Sequence, residues 1–269
     1  MREGSLSQTL KMAPTLLKVG FANMVAYRGE ILIWILTTTM PLIMYALWSA
    51  VAEEAPLGRF DGPALASYFL AMLVVRQLSS AWVVWELNEQ IRSGSLSVHL
   101  VRPAHPLVLI AAENLAAIPI RVLVLIPIVI AAVFLEPKMR FTADPLLLLL
   151  GAYATAMSWL LTYLIQSLVG LTALYTQQSL GIQDAYFGVW ALCSGYFIPL
   201  ELVPELFAIA RWLPFRAVGG LPVEIWVGHL AGVDLALGLL AQAFWVVAAA
   251  ITLVWFWPRA MRRFEAYGG

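Results

Sequence analysis

The chain has 269 residues, 62% of them hydrophobic and 12% charged, with sixteen basic residues against sixteen acidic ones. An average soluble domain is about 45–50% apolar and about 25% charged, so a soluble fold of this length has too little interior for so much apolar surface. Lipid is the expected solvent; zero net charge leaves no footprint for nucleic acid, and a single cysteine, Cys193, excludes an internal disulfide.

Residues 1–30 are too polar to span a bilayer. Leu6, Leu10, Leu17, Phe21 and Met24 recur at helical spacing, with Lys11 and Lys18 elsewhere on the wheel. That pattern predicts an amphipathic helix lying in the interface, bent at Pro14. The stretch has neither a short apolar core nor a small-residue cleavage site, so no removable signal peptide is expected.

Six apolar segments follow: Ile31–Ala52, Ala64–Trp85, Leu107–Leu135, Pro145–Leu171, Ile182–Leu200 and Leu235–Trp257. A helix of roughly 20 residues crosses a core of about 30 Å. The expectation is an all-α membrane protein with six transmembrane helices over 31–257. The third segment holds Glu113 and Asn114 near its start, so its span should begin a few residues later or tilt.

Even-numbered spans put both termini on one side. That side carries Arg2, Lys11, Lys18, Arg28, Arg92, Arg102, Arg259, Arg262 and Arg263, against Arg59, Lys138, Arg140, Arg211 and Arg216 opposite. The excess predicts cytoplasmic termini, a basic cytoplasmic tail at 258–269 and a cytoplasmic loop at 86–106. Trp34, Trp82, Trp85, Trp255 and Trp257 would mark the inner interface, with Trp48 near the outer one.

Residues 201–234 are as long as a span with its loops, but Pro204, Pro214, Pro222 and Gly219-Gly220 divide them. Two short helices dipping into the outer leaflet are expected, a re-entrant arrangement that needs protein cover or an aqueous cavity. A seventh span would carry Pro and Gly-Gly in mid-helix and would put the basic C-terminus outside.

Catalytic signatures do not emerge. The chain has no GxxxxGK[ST] loop, no HExxH and no GxSxG, and His99, His105 and His229 lack metal-ligand spacing. Two arginines lie at depth instead, Arg76 in the second segment and Arg121 in the third. Arginine at a helix centre costs about 2.5–3.5 kcal/mol on insertion scales, so each should face protein or water. Glu113 is at a similar depth to Arg76, which makes a cross-helix pair sterically reasonable. Arg76 then either locks two helices together or lines a cavity for a substrate with anionic or polar groups. Tyr186, Trp190, Tyr196 and Phe197 crowd the fifth segment and could line a path as well as pack. The candidate pathway set is Arg76, Trp82, Tyr186, Trp190 and Phe197; the candidate outer gate is Pro199, Pro204, Pro214 and Gly219.

The loop Glu86–Pro106 is the longest interior run that is not mainly apolar. Glu86, Glu89 and Gln90 share one helical face, and Leu87 and Ile91 another. Gly94 supplies a stop, Leu96, Val98 and Leu100 follow, and Pro103 and Pro106 close the unit. A helix with a charged face and trailing apolar residues suits docking of a soluble partner.

The run IRSGSLSVHLVRPAHPL resembles the first cytoplasmic loop of ABC-2-type transporter permeases, especially the bacterial six-span group related to drug and viologen exporters. SGYFIPLELVPELF with the later LPF, and the ending RRFEAYGG, are similar to the same group, so the likeness runs the length of the chain. It implies a bacterial inner-membrane subunit, not itself an enzyme, that works with a second permease and a separate ATPase subunit holding ATP and Mg²⁺. Glu86, Glu89, Ile91, Arg92, Gly94, Leu96, Arg102 and Pro103 would be the ATPase-coupling residues. The cargo expected is an amphipathic or hydrophobic small molecule, with a lipid, a peptide, or a non-transporting scaffold or immunity role as alternatives.

Overall fold

A computed structural model describes Thr15, residues 39–55 and residues 57–264. Apart from Thr15, the expected interfacial helix at 1–30 lies outside the described residues, as do the first eight residues of the first apolar segment and the last five of the tail.

The described residues form helices joined by short loops. Helix α1 (Met40–Glu54) leads through a turn at Gly58, φ +60°, into α2 (Gly62–Ser79). Asp61 starts α2 by accepting a hydrogen bond from the Ala64 amide at 2.8 Å, with Pro63 in the first turn, where its missing N–H costs nothing. Helix α2 stops at Ser79, and after three non-helical residues α3 (Val83–Arg92) continues. The short α4 (Leu96–Leu100) follows Gly94, then α5 (Pro106–Ala116) and α6 (Ile118–Leu135).

Helix α7 (Pro145–Leu171) is the central strut, capped by Asp144 on the Leu146 amide at 2.8 Å and packed on α2, α3 and the C-terminal helix. After α8 (Ala173–Thr176) comes α9 (Leu180–Cys193), then a 3₁₀ turn at Leu200–Leu202. Three short helices, α10 (Pro204–Ala210), α11 (Pro214–Val218) and α12 (Gly220–Trp226), precede α13 (Gly232–Met261).

Among the described residues four helical stretches are long and apolar enough to cross a membrane: Gly62–Arg92, Pro106–Leu135, Pro145–Thr176 and Gly232–Met261. They match the second, third, fourth and sixth expected segments. The third starts at Pro106, so its polar Glu113 and Asn114 sit inside the helix rather than before it. Only Met40–Glu54 of the first segment's helix is described.

The fifth differs. Helix α9 has 14 residues, about 21 Å at 1.5 Å per residue. It ends where Gly195 turns at φ +84° and the Tyr68 hydroxyl donates to the Gly195 carbonyl at 3.0 Å. A Cβ at Gly195 would meet that hydroxyl at 2.3 Å, so the turn requires glycine twice over. Residues 194–199 beyond it are non-helical but mostly buried, which is where irregular backbone is tolerated at depth.

The core lies where α2, α3 and α7 meet. Leu65, Phe69, Met72, Leu87, Leu161 and Leu171 are fully buried there. A Cβ at Gly170 would come within 3.0 Å of Leu87, so glycine lets α3 lie close on α7. Gln242 on α13 donates to the carbonyls of Ala154 at 2.9 Å and Ala217 at 2.8 Å, tying α13 to α7 and α11.

Candidate functional site

The molecule has two ends. One carries α4 and the starts of α5 and α9; there His105 packs on Trp257 at 4.5 Å and Arg263 lies over Tyr175 at 4.9 Å. The other carries the 200–231 helices and the starts of α2, α7 and α13.

At the first end, α3 presents Glu86, Glu89 and Arg92 to solvent and buries Leu87, Asn88, Gln90 and Ile91. Gly94 has φ +74°, the left-handed turn that reverses the chain, and its carbonyl accepts from Ser97 Oγ at 2.7 Å. Of the three trailing apolar residues only Val98 is exposed; Leu96 is fully buried and roots the unit, and Leu100 is partly covered. The exposed surface is therefore Arg92, Val98, Val101, Arg102 and Pro103, with Val101 84% exposed. Val101 is the residue that helical spacing missed, because it follows the helix rather than belonging to it.

The unit is wired inward. Asn88 Oδ1 accepts from the Ser179 amide at 2.9 Å, and both residues are buried, so α3 grips the start of α9. Helix α9 carries Tyr186 and Trp190 toward Arg76. The Arg76 guanidinium lies 5.0 Å from the Trp190 ring centre, and Tyr186 and Tyr196 are close enough to act on its charge. Trp190 and Tyr196 are 5.0 Å apart, and Phe197 joins through Tyr196 at 5.5 Å. Trp82 is at the helix break, its ring 5.4 Å from that of Trp85 and tilted against it. Of the expected pathway set the fold gathers Arg76, Tyr186, Trp190 and, at one remove, Phe197.

The Arg76–Glu113 pair does not form. Among the described residues Arg76 has no ion pair, and its Nε is buried without a hydrogen-bond partner. Similar depth fixed height along the helix axis but not which face each residue occupies. Arg121 is a structural residue. Its Nη1 donates to the Ser80 carbonyl at 2.8 Å, to Ser80 Oγ at 2.8 Å and to the Gln77 carbonyl at 3.3 Å, capping the broken end of α2. Asn114 completes the junction by accepting from the Trp82 amide at 2.9 Å. Paired with carbonyls, a charge at this depth is tolerated.

At the second end Pro204 and Pro214 open α10 and α11, Pro199 precedes the 3₁₀ turn, and Gly219 lets α11 and α12 meet Ser194. Helix α12 buries Leu221, Val223 and Ile225 against α7 and α2, covering the bundle like a lid. A buried bidentate ion pair, Arg216 with Glu224, braces it. Burial pushes the Glu224 carboxyl above its ordinary value, and Arg216 pulls it only part of the way back. Glu201 sits between Arg59 and His229, the latter at 3.3 Å. Burial pushes the Glu201 carboxyl up, but the hydrogen bonds from His229 and Arg59 outweigh it and hold the group below its ordinary value.

Long apolar helices, polar groups turned inward and a capped water-facing projection define a membrane-embedded helical protein. A family model described as ABC-2 family transporter protein matches residues 47–268, and the chain belongs to that family, whose members are transport components that associate with an ATPase subunit. Comparison with curated proteins and with solved structures gave no match.

Proposed function

We propose that this chain is the permease subunit of an ATP-binding-cassette exporter, moving an amphipathic small molecule outward while a separate subunit binds and hydrolyses ATP. The observation that carries this is the unit from Glu86 to Pro106. Its apolar roots, Leu87, Ile91 and Leu96, are buried, while Arg92, Val98, Val101 and Arg102 are exposed and, among the described residues, the two arginines are in no ion pair. A rigid knob of this kind, linked by Asn88 to the start of α9, converts a push from a soluble partner into movement of the helix that carries Tyr186 and Trp190.

The basic excess at this end supports a cytoplasmic placement, with the lid of α10–α12 as the outer gate. Arg76 with Tyr186, Trp190 and Tyr196 is the proposed substrate contact. An uncompensated guanidinium beside aromatic faces favours a cargo with an anionic polar part and repels a cation. One copy contributes a single such wall, so a second permease, identical or different, completes the path.

The test is ATPase stimulation in proteoliposomes holding the permease with its ATPase. Reversing Arg92→Glu and Arg102→Glu together should leave permease insertion intact and abolish capture of the ATPase. Full substrate-stimulated hydrolysis in that variant would refute the assignment. Arg76→Met should abolish export of an anionic amphiphile; unchanged export with lowered thermal stability would make Arg76 a packing residue.

A further inference from the structure

The lid encloses a cavity of about 420 Å³ between α10, the first turns of α13 and the Glu201 cluster. That is within the range of sites for small amphiphiles, roughly 300–1,000 Å³. Its charges nearly all cancel in place. Arg59 is paired with Glu201, Arg216 with Glu224, and His229 with Glu201. Two charges remain, one of each sign. Arg211 lies over the Trp212 ring at 4.8 Å, and Asp234 stands in the first turn of α13. Among the described residues neither side chain is in an ion pair or a hydrogen bond with another side chain.

Phe207, Trp212, Leu230 and Leu237 add apolar surface to the lining that Arg211 and Asp234 share. Two of the lining residues, Trp212 and Leu237, are exposed, and so are Ile209 on α10 and Val233 in the first turn of α13. Apolar groups exposed beside a tryptophan at a helix end belong at the boundary between headgroups and acyl chains. We propose that this cavity binds the head of a zwitterionic phospholipid, with its phosphate on Arg211, its ammonium on Asp234 and its glycerol and first acyl carbons along Leu237 and Leu230. Charge complementarity selects the head: a glycerol lipid would satisfy Arg211 with the same phosphate but offer Asp234 only neutral hydroxyls in place of an ammonium. Its lining includes none of Arg76, Tyr186, Trp190 and Tyr196, and occupancy is read by binding rather than by transport.

The full-length protein in detergent is titrated with dihexanoyl phosphatidylethanolamine, dihexanoyl phosphatidylglycerol or free phosphoethanolamine, and adducts are counted by native mass spectrometry. The ethanolamine lipid should bind about tenfold more tightly than the glycerol lipid, the factor one charge-assisted contact carries. Asp234→Asn should erase that preference and leave the glycerol lipid's affinity intact, whereas Arg211→Gln should weaken both. Both positions are exposed, so neither change threatens folding. Retained preference in Asp234→Asn, or undiminished binding of both lipids to Arg211→Gln, overturns the site. Free phosphoethanolamine binding as tightly as the lipid would make the ligand a soluble phosphate ester and overturn the lipid assignment.

Discussion

Two neighbouring spans behave in opposite ways. The 18-residue membrane-length window within Gly62–Arg92 has a mean hydropathy of 1.3 and 78% of its residues are buried, whereas the one within Pro106–Leu135 has a mean hydropathy of 2.7 and 11% buried. In a water-soluble protein the most apolar helix would be innermost. Here the most apolar one is outermost, because lipid is as good a solvent for leucine as protein is, and only polar side chains gain by turning inward. Ser67, Gln77, Ser79, Ser80, Asn88 and Gln90 are buried along α2 and α3, while Leu123, Ile126, Ile130 and Phe134 on α6 are exposed. High hydropathy marks the lipid face; modest hydropathy with scattered polar residues marks the centre.

The sharpest way to break this contrast is to unpair a buried charge. Arg216→Met leaves the Glu224 carboxyl buried without its partner, which should cost about 3–5 kcal/mol. Thermal unfolding of the purified protein would show it, and Arg216→Met with Glu224→Met should recover much of the loss. If the single change proved harmless, the lid would be open to water and its 2% exposed Glu224 would not be sequestered.

This pair also shows where the sequence falls silent. Arg216 and Glu224 are eight apart, and they meet only because α11 and α12 fold back at Gly219-Gly220. Read along the chain, Arg216 lies between the two expected short helices and Glu224 within the second, with nothing to pair them. The start of α7 was legible because Asp144-Pro145 states a cap and a first turn in adjacent letters, and α7 runs over the expected Pro145–Leu171. The break after Ser79 was not legible, since neither Pro nor Gly marks it. Its signal was Arg121, forty-one residues from Ser80, a cation needing acceptors that only a broken helix supplies. The fifth segment was misjudged in length for a related reason: its stop depends on Tyr68, 127 residues before Gly195. Periodicity and caps are local and readable, whereas partners brought together by packing are not.

Inside and outside can next be compared with one residue type. Leu87→Ala removes a fully buried side chain wedged against Gly170 and should cost about 2–5 kcal/mol. Leu123→Ala, at a side chain 69% exposed on α6, should stay within about 0.5 kcal/mol. Equal losses would place α6 against another protein surface rather than lipid.

A smaller effect separates the paired charges at the lid from the buried ones beneath them. The Glu201 carboxyl is held below its ordinary value, so its contribution is complete above the unfolded carboxylate range. It is lost as pH falls through the depressed folded value. The gain is below about 1 kcal/mol because Arg59 is half exposed and screened. Wild type should therefore unfold at a higher temperature than Glu201→Gln near neutrality and converge with it on acidification. A gap that does not change with pH would mean that Glu201 acts by shape alone.

The least effect on stability is expected at Val101, and that is what makes it informative. Leu96 and Val101 lie five residues apart in one unit, yet one is fully buried and the other 84% exposed. An exposed valine next to Arg102 contributes nothing to this chain's own fold, so Val101→Asp should leave the unfolding temperature within error, as surface changes generally do. At a docking face the same change places a carboxylate where an apolar contact is made, and desolvating it without a partner costs binding. The ATPase subunit should then fail to co-purify, while Leu96→Ala should lower stability first and capture only as a consequence. If Val101→Asp retained the ATPase with full stimulation, the exposed valine would be an ordinary loop residue. The docking surface would then have to be sought on the Glu86, Glu89 and Arg92 face of α3.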